Sequence, residues 1–231
     1  MRIEDLKNIE FLNLNEEQIE QLDSYMHLTL ETNKMFNLTR NDDESSFVIK
    51  NILDSLMIIK SIDLNDKYIL DLGSGAGLPG IPLAIYFKNA KFVLLEPTNK
   101  RANFLTEVKK QLKLDNVEVV CDRAESYIKL KRNSFDFVVS RAVSQLNMLL
   151  ELSMPFLKKG GELIAYKGLN YQVEIFEAKS ALKELNSSVK FVDSFVLPST
   201  QETRNNIFVV LNGKVNEKYP REYNKIKKKA L

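Results

Sequence analysis

The chain has 231 residues, of which 44% are hydrophobic, and 33 basic against 31 acidic side chains leave a net charge of +2. That length and apolar content suit one large α/β domain with a modest extension and exclude wholesale disorder, while the near balance of charge does not announce a nucleic-acid binder. The single cysteine, Cys121, excludes an intramolecular disulfide framework, and with the single histidine, His27, it leaves too few soft ligands for a structural zinc site.

The N-terminus is too acidic and interrupted for a signal peptide, and no apolar run approaches the roughly 20 residues that span a bilayer. A cytoplasmic protein without a membrane partner is expected. Residues 1–65 read as helical. Asn15 followed by Glu16-Glu-Gln18 is a helix start with acids in its first turn, and Ile19, Leu22, Tyr25, Met26 and Leu30 give one apolar stripe. A second helix is expected from Phe47 to Ser61, with Val48, Ile52, Leu56 and Ile59 on one face. His27 lies beside the first stripe and reads as a packing residue. The whole segment reads as a cap on the domain that follows.

Tyr68 to Leu72 is a short apolar run ended by glycine, the pattern of a buried parallel strand. Gly73, Gly75, Gly77 and Gly80 follow, half of the eight glycines in the chain, and Pro79 and Pro82 stand where a helix can begin. Strand, glycine loop and helix make a nucleotide-sized site that two cofactors fit. Gly75, Gly77 and Gly80 match the G-x-G-x-x-G spacing of dinucleotide binding. Asp71, Gly73, Gly75 and Gly77 equally match D-x-G-x-G-x-G, which resembles the first motif of S-adenosylmethionine (SAM)-dependent methyltransferases.

Further on, short apolar runs alternate with helix-length segments, as in a doubly wound parallel sheet. Strands are expected at Lys91–Leu95, Val117–Cys121, Phe135–Val139 and Gly161–Tyr166, and helices at Thr98–Leu114, Gln145–Leu157 and Tyr171–Leu185. Val189–Leu197 and Asn206–Leu211 then read as two strands joined without a helix, which makes one of them antiparallel to the sheet. Cys121, after a strand, reads as buried packing. Residues 214–231 form a basic tail: the last eleven residues carry five basic groups and one acid. The organisation is thus a cap over 1–65, a cofactor-binding domain over 66–213 and the tail.

Glu96 closes the second strand, where it can accept hydrogen bonds from ribose hydroxyls. The terminal strand pair and Asp71 favour SAM over a dinucleotide. The run Ile69 to Ile81, with Gly77-Leu-Pro-Gly-Ile81 at its end, resembles the bacterial 16S ribosomal RNA guanine-N7 methyltransferases, the glucose-inhibited division protein B family. Asn37-Leu-Thr39, Ile52-Leu-Asp-Ser-Leu56, Lys100-Arg101, Phe104-Leu105, Leu112-Lys-Leu114, Ser140-Arg-Ala142, Leu146-Asn147, Tyr166-Lys-Gly168 and Arg204 match in order over almost the whole chain. Asn51 and Asn205 depart from it, standing where many relatives have histidine.

The resemblance implies a class I SAM-dependent methyltransferase fold, a doubly wound seven-stranded sheet whose last strand pair is antiparallel, with an N-terminal helical extension. It implies methyl transfer from SAM to N7 of a guanosine in 16S rRNA, with rRNA or the small ribosomal subunit as partner, no metal, and a monomeric enzyme. Gly73, Gly75, Gly77, Leu78, Glu96, Ala124, Glu125 and Arg141 are then the cofactor residues, and Arg141 also positions the reacting groups, no general base being expected. Lys100, Arg101, Arg123, Lys167 and Arg204 follow or precede strand ends and are the candidate RNA contacts. Replacing Arg141 or Lys167 by alanine is expected to lower methylation with little change in stability. Two alternatives belong to other classes: an NAD(P)-dependent oxidoreductase on the Gly75-x-Gly-x-x-Gly80 loop, and a non-catalytic rRNA-binding assembly factor.

Overall fold

The computed structural model describes residues 1–231. A short 3₁₀ turn, Ile3–Asn8, precedes α1 (Glu16–Asn33). α1 begins at Asn15, whose side chain accepts from the Gln18 amide (2.9 Å) while the Gln18 side chain accepts from the Asn15 amide (3.0 Å), so two otherwise orphaned first-turn donors are satisfied. The second helical stretch starts earlier than its apolar pattern, at α2 (Glu44–Phe47) with Asp43 as cap. It passes through a π-turn, Val48–Leu53, into α3 (Asp54–Leu56) and a closing 3₁₀ turn, Met57–Lys60. A π-turn costs regular hydrogen bonding and is found mostly where function demands it.

The alternating segment forms β1 (Tyr68–Leu72), α4 (Gly80–Tyr86), β2 (Lys91–Leu95), α5 (Asn99–Gln111), β3 (Val117–Val120), α6 (Ala124–Lys131), β4 (Phe135–Arg141) and α7 (Leu146–Ser153). It continues through β5 (Leu157–Lys167), α8 (Tyr171–Glu177), α9 (Lys179–Glu184), β6 (Ser187–Val196), β7 (Thr203–Leu211) and α10 (Tyr223–Lys228). The seven strands lie in the order β3-β2-β1-β4-β5-β7-β6, parallel from β3 to β5, with β7 antiparallel to β5 and β6. β1 lies between β2 and β4, at the point where the strand order reverses, and in such sheets ligands bind beyond the carboxyl ends of the strands there.

Two apolar layers sandwich the sheet. One joins the N-terminal helices to α4, α5 and the β1 side chain Ile69, so the cap shares a continuous core with the sheet. The other joins α6, α7, α9 and the C-terminal segment through Leu150, Ala181, Tyr219 and Ile226. No helix is long and apolar enough to cross a membrane. Two sequence expectations change. Cys121 is exposed, its Sγ 3.0 Å from Asn99 Oδ1, because β3 ends one residue before it. His27 is also exposed, near Asp23 and Glu44, since its position on α1 lies outside the buried stripe.

Candidate functional site

The glycine loop is held from three directions. The Gly73 and Ser74 amides donate to the Leu95 carbonyl at the end of β2 (2.9 and 3.2 Å). The Gly80 amide donates to Asp71 Oδ2 beneath the loop (3.0 Å), and Tyr25 of α1 donates its hydroxyl to the Ala76 carbonyl (2.8 Å). Gly73 adopts a φ of 73°, and a Cβ there would stand 2.6 Å from Val143 Cγ2, so both its conformation and its clearance require glycine. At Gly80 a Cβ would meet Leu94 at 2.4 Å and Asp71 Oδ2 at 2.5 Å. Close packing therefore explains the third glycine of the dinucleotide spacing without a pyrophosphate.

Asp71 is fully buried, and burial pushes its carboxyl up to about 7, against the Ser74 and Gly80 hydrogen bonds that pull it down. It does not line the cleft, so its place is that of a clamp under the loop and not of a base for a bound substrate. Glu96 accepts from the Gly75 amide through Oε2 and from the Thr98 amide through Oε1, both at 2.9 Å. A carboxylate has further lone pairs for a ligand hydroxyl after those two bonds.

Beyond the loop opens a cleft of about 1500 Å³, larger than the 300–1,000 Å³ typical of a single small-ligand pocket. Of the sequence-derived site residues, Gly73, Gly75, Leu78, Arg101, Arg141, Lys167 and Arg204 line it. Gly77 packs behind the loop against Ile81 and Leu105, and Glu96 lies beneath. Ala124 is buried at the start of α6, Glu125 is half-buried beside it, and Lys100 and Arg123 are exposed at the same sheet edge outside the lining.

The register brings Arg141 of β4 opposite Tyr166 of β5, and Tyr166 opposite Asn206 of β7, which makes a row across the sheet facing α3. Tyr166 donates its hydroxyl to the Ser55 carbonyl (2.8 Å). Arg141 donates to the Lys50 carbonyl (2.9 Å), Asp54 Oδ2 (3.2 Å) and Asn51 Oδ1 (2.9 Å). Arg204 reaches the same Asp54 carboxylate (3.6 Å) and pairs with Glu202 (2.6 Å), which also holds Lys50 (2.5 Å). Lys167 pairs with Glu174 of α8 (2.6 Å) and donates to the Ser144 carbonyl (2.7 Å). Burial raises the Asp54 carboxyl despite both guanidinium groups, which pull the other way.

Arg40, Lys50, Asp54 and Asn206 were not assigned from sequence. Asp54 had a readable signal, an acid between Leu53 and Leu56 on an apolar helical face; Asn206 had none, since its place in the row depends on strand register. Asp54 Oδ1 and Asn206 Nδ2 are buried and lack hydrogen-bond partners. Asn51 also bonds Asn41 and Thr39, and Asn205 bonds Ser194 and Gly168, so both are well-held amides. The cations Lys50, Arg141, Lys167 and Arg204 share three acids, Asp54, Glu174 and Glu202, whereas Arg40 and Arg101 form no ion pair. The lining has no histidine or cysteine, and of its four acids Asp54, Glu174 and Glu202 are held in ion pairs, so the cleft is equipped to bind and orient its contents by charge, amides and backbone.

Known proteins resemble this chain in sequence and in fold. The family model of rRNA small subunit methyltransferase G matches residues 18–205. Ribosomal RNA small subunit methyltransferase G of Acholeplasma laidlawii is 40% identical over 227 residues, 98% of each chain. Its counterpart from Thermotoga petrophila is 42% identical over 210 residues, 91% of this chain and 90% of that one. Among solved structures, a SAM-dependent methyltransferase from Aquifex aeolicus superposes with a TM-score of 0.56 at 19% identity, covering 79% of this chain and 98% of its own. M. jannaschii TYW2 in complex with AdoMet superposes with a TM-score of 0.53 at 18% identity, covering 69% and 74%. The fold is therefore the SAM-dependent methyltransferase fold expected from sequence, the oxidoreductase reading falls away, and the chain belongs to the rRNA small subunit methyltransferase G family.

Proposed function

We propose that this chain transfers the methyl group of S-adenosylmethionine to N7 of a guanosine in the 16S rRNA of the small ribosomal subunit, in the cytoplasm. The observation that carries the reading is a cleft that joins the glycine loop to a cation-lined space large enough for a second ligand, with three of its four acids, Asp54, Glu174 and Glu202, held in ion pairs. S-adenosylmethionine, when bound, supplies an electrophilic methyl on a sulfonium. Gly75, where a Cβ would meet nothing closer than 3.9 Å, would leave room for it, and Glu96 would offer oxygens to its ribose. Asp54, Glu174 and Glu202 offset most of the charge of Lys50, Arg141, Lys167 and Arg204 and so lessen the repulsion of a cationic cofactor in the inner cleft, while Arg40 and Arg101 remain free for RNA phosphates.

Guanine N7 has a lone pair and no proton, so attack on the methyl carbon needs no deprotonation. The electron pair of the broken carbon–sulfur bond stays on sulfur, and the purine takes up the positive charge. The task of Arg141, braced by Asp54, Asn51 and the π-turn, is then positioning, which can lower the barrier by several kcal/mol. We assign residues 1–65 as a cap that clamps the loop through Tyr25, 66–213 as the methyltransferase domain and 214–231 as a C-terminal segment outside the reaction centre. Incubation of the purified protein with methyl-labelled cofactor and unmethylated 16S rRNA, followed by nucleoside analysis, should yield 7-methylguanosine. A different methylated nucleoside, or none, would overturn the assignment.

A further inference from the structure

The C-terminal basic segment is anchored, and its path is set by α6. That helix descends from the carboxyl edge of the sheet, where Arg123 closely follows β3, to the opposite edge, where Arg132 donates to the Tyr219 and Glu217 carbonyls. The segment then returns alongside. The guanidinium of Arg221 donates to both oxygens of Glu151 on α7 (2.7 and 2.6 Å), and its amide adds a third bond at 3.0 Å. Glu151 has no exposed surface, so the pair holds only because its hydrogen bonds are made. Tyr223 brings its ring to within 5.8 Å of the Arg123 guanidinium, and Ile226 is fully buried in the layer beneath. The first residue of α10 thereby stands at the carboxyl edge, the edge at which the cleft opens. The Arg221 guanidinium also donates to the Lys229 carbonyl (3.0 Å), which fixes the far end of the helix beside α7.

What α10 presents to solvent is unneutralised charge. Lys227, Lys228 and Lys229 are exposed and form no ion pair, and Lys225 meets only the exposed Glu222 at 3.4 Å. Three consecutive ammonium groups repel one another, and a free chain end would separate them; here Arg221, Tyr223 and Ile226 hold their backbone in place. Resting on the ribosomal-RNA reading above, we propose that α10 is a fixed cationic platform that takes the sugar–phosphate backbone of the RNA whose nucleotide enters the cleft, continuous with Arg123. A polyanion is the occupant that relieves this clustered charge, and its phosphate spacing suits side chains that need no sequence-specific contact.

The test measures binding of unmethylated 16S rRNA, transcribed in vitro, across a salt series. Replacing Lys225, Lys227, Lys228 and Lys229 together by serine should flatten the slope of log affinity against log salt by about 0.7 for each phosphate of single-stranded RNA that is no longer neutralised, about 2 to 3 in all. KM for RNA should rise at least about tenfold at physiological salt, with cofactor affinity and Tm unchanged. Ile226→Ser retains every lysine but loosens the anchor, and should also weaken RNA binding. An unchanged slope in the lysine variant overturns the proposal. Weakened binding in the lysine variant with wild-type affinity in Ile226→Ser overturns the fixed platform, leaving a loose charged end. Failure of the unmodified protein to methylate the RNA at all would instead remove the substrate reading on which the platform rests.

Discussion

Gly73 and Arg141 carry the most specific expectations of any single residues. Gly73→Val must adopt a φ of 73° and clear Val143, so cofactor affinity should fall by more than about a hundredfold, measured by titration calorimetry. Wild-type affinity would remove the loop from the cofactor site. Arg141→Ala should lower methyl transfer at least about tenfold, and it should also destabilise the fold by about 1–3 kcal/mol, because buried Asp54 loses a hydrogen-bonded partner. On sequence alone Arg141 reads as an arginine whose loss would spare stability. The buried acid in the distant motif Ile52-Leu-Asp-Ser-Leu56 changes that expectation. Arg141→Lys should not rescue activity, since a single ammonium cannot reach Lys50, Asn51 and Asp54 together.

At the scale of elements, the β1–loop–α4 unit contains its own pH sensor. The buried Asp71 carboxyl is raised to about 7, far above its unfolded value, so the folded state binds the proton more tightly between about pH 4 and 7. Its contribution to stability therefore declines as pH rises through that window and levels off above it. Asp71→Asn retains an acceptor for the Gly80 amide and cannot ionise, so its Tm should gain on wild type between about pH 4.5 and 7.5; a constant difference would contradict the assignment. Tyr25→Phe removes the clamp from α1 to the loop, leaving the Ala76 carbonyl unpaired, and should cost about 0.5–1.5 kcal/mol of stability and weaken cofactor binding by up to about tenfold. β1 was legible to the residue because an apolar run stops at glycine, and the succession of strands and helices along the chain followed from alternation. α6 was not, because its eight residues carry three charges and lie in a short spacer between β3 and β4. The helix expected over 171–185 divides at Ala178 into α8 and α9, a break that no glycine or proline signals.

For the molecule as a whole, what the sequence leaves unread is mostly what distant segments do to one another. The apolar stripes of the first 65 residues are legible, but the donation from Tyr25 to the loop depends on how the cap docks. The final residues read as a charged tail, whereas Val215, Tyr219 and Ile226 seal them to the second layer. The row Arg141–Tyr166–Asn206 exists only once parallel and antiparallel pairings have set three strands in register. Loop, row and cap together line one cleft, whose product is 7-methylguanosine in 16S rRNA. The most direct test compares rRNA from cells with and without the gene after borohydride reduction and aniline treatment, which cleave the chain at N7-methylated guanosine. One scission site should be present with the gene and absent without it; identical cleavage patterns in the two RNAs would exclude 7-methylguanosine as the product.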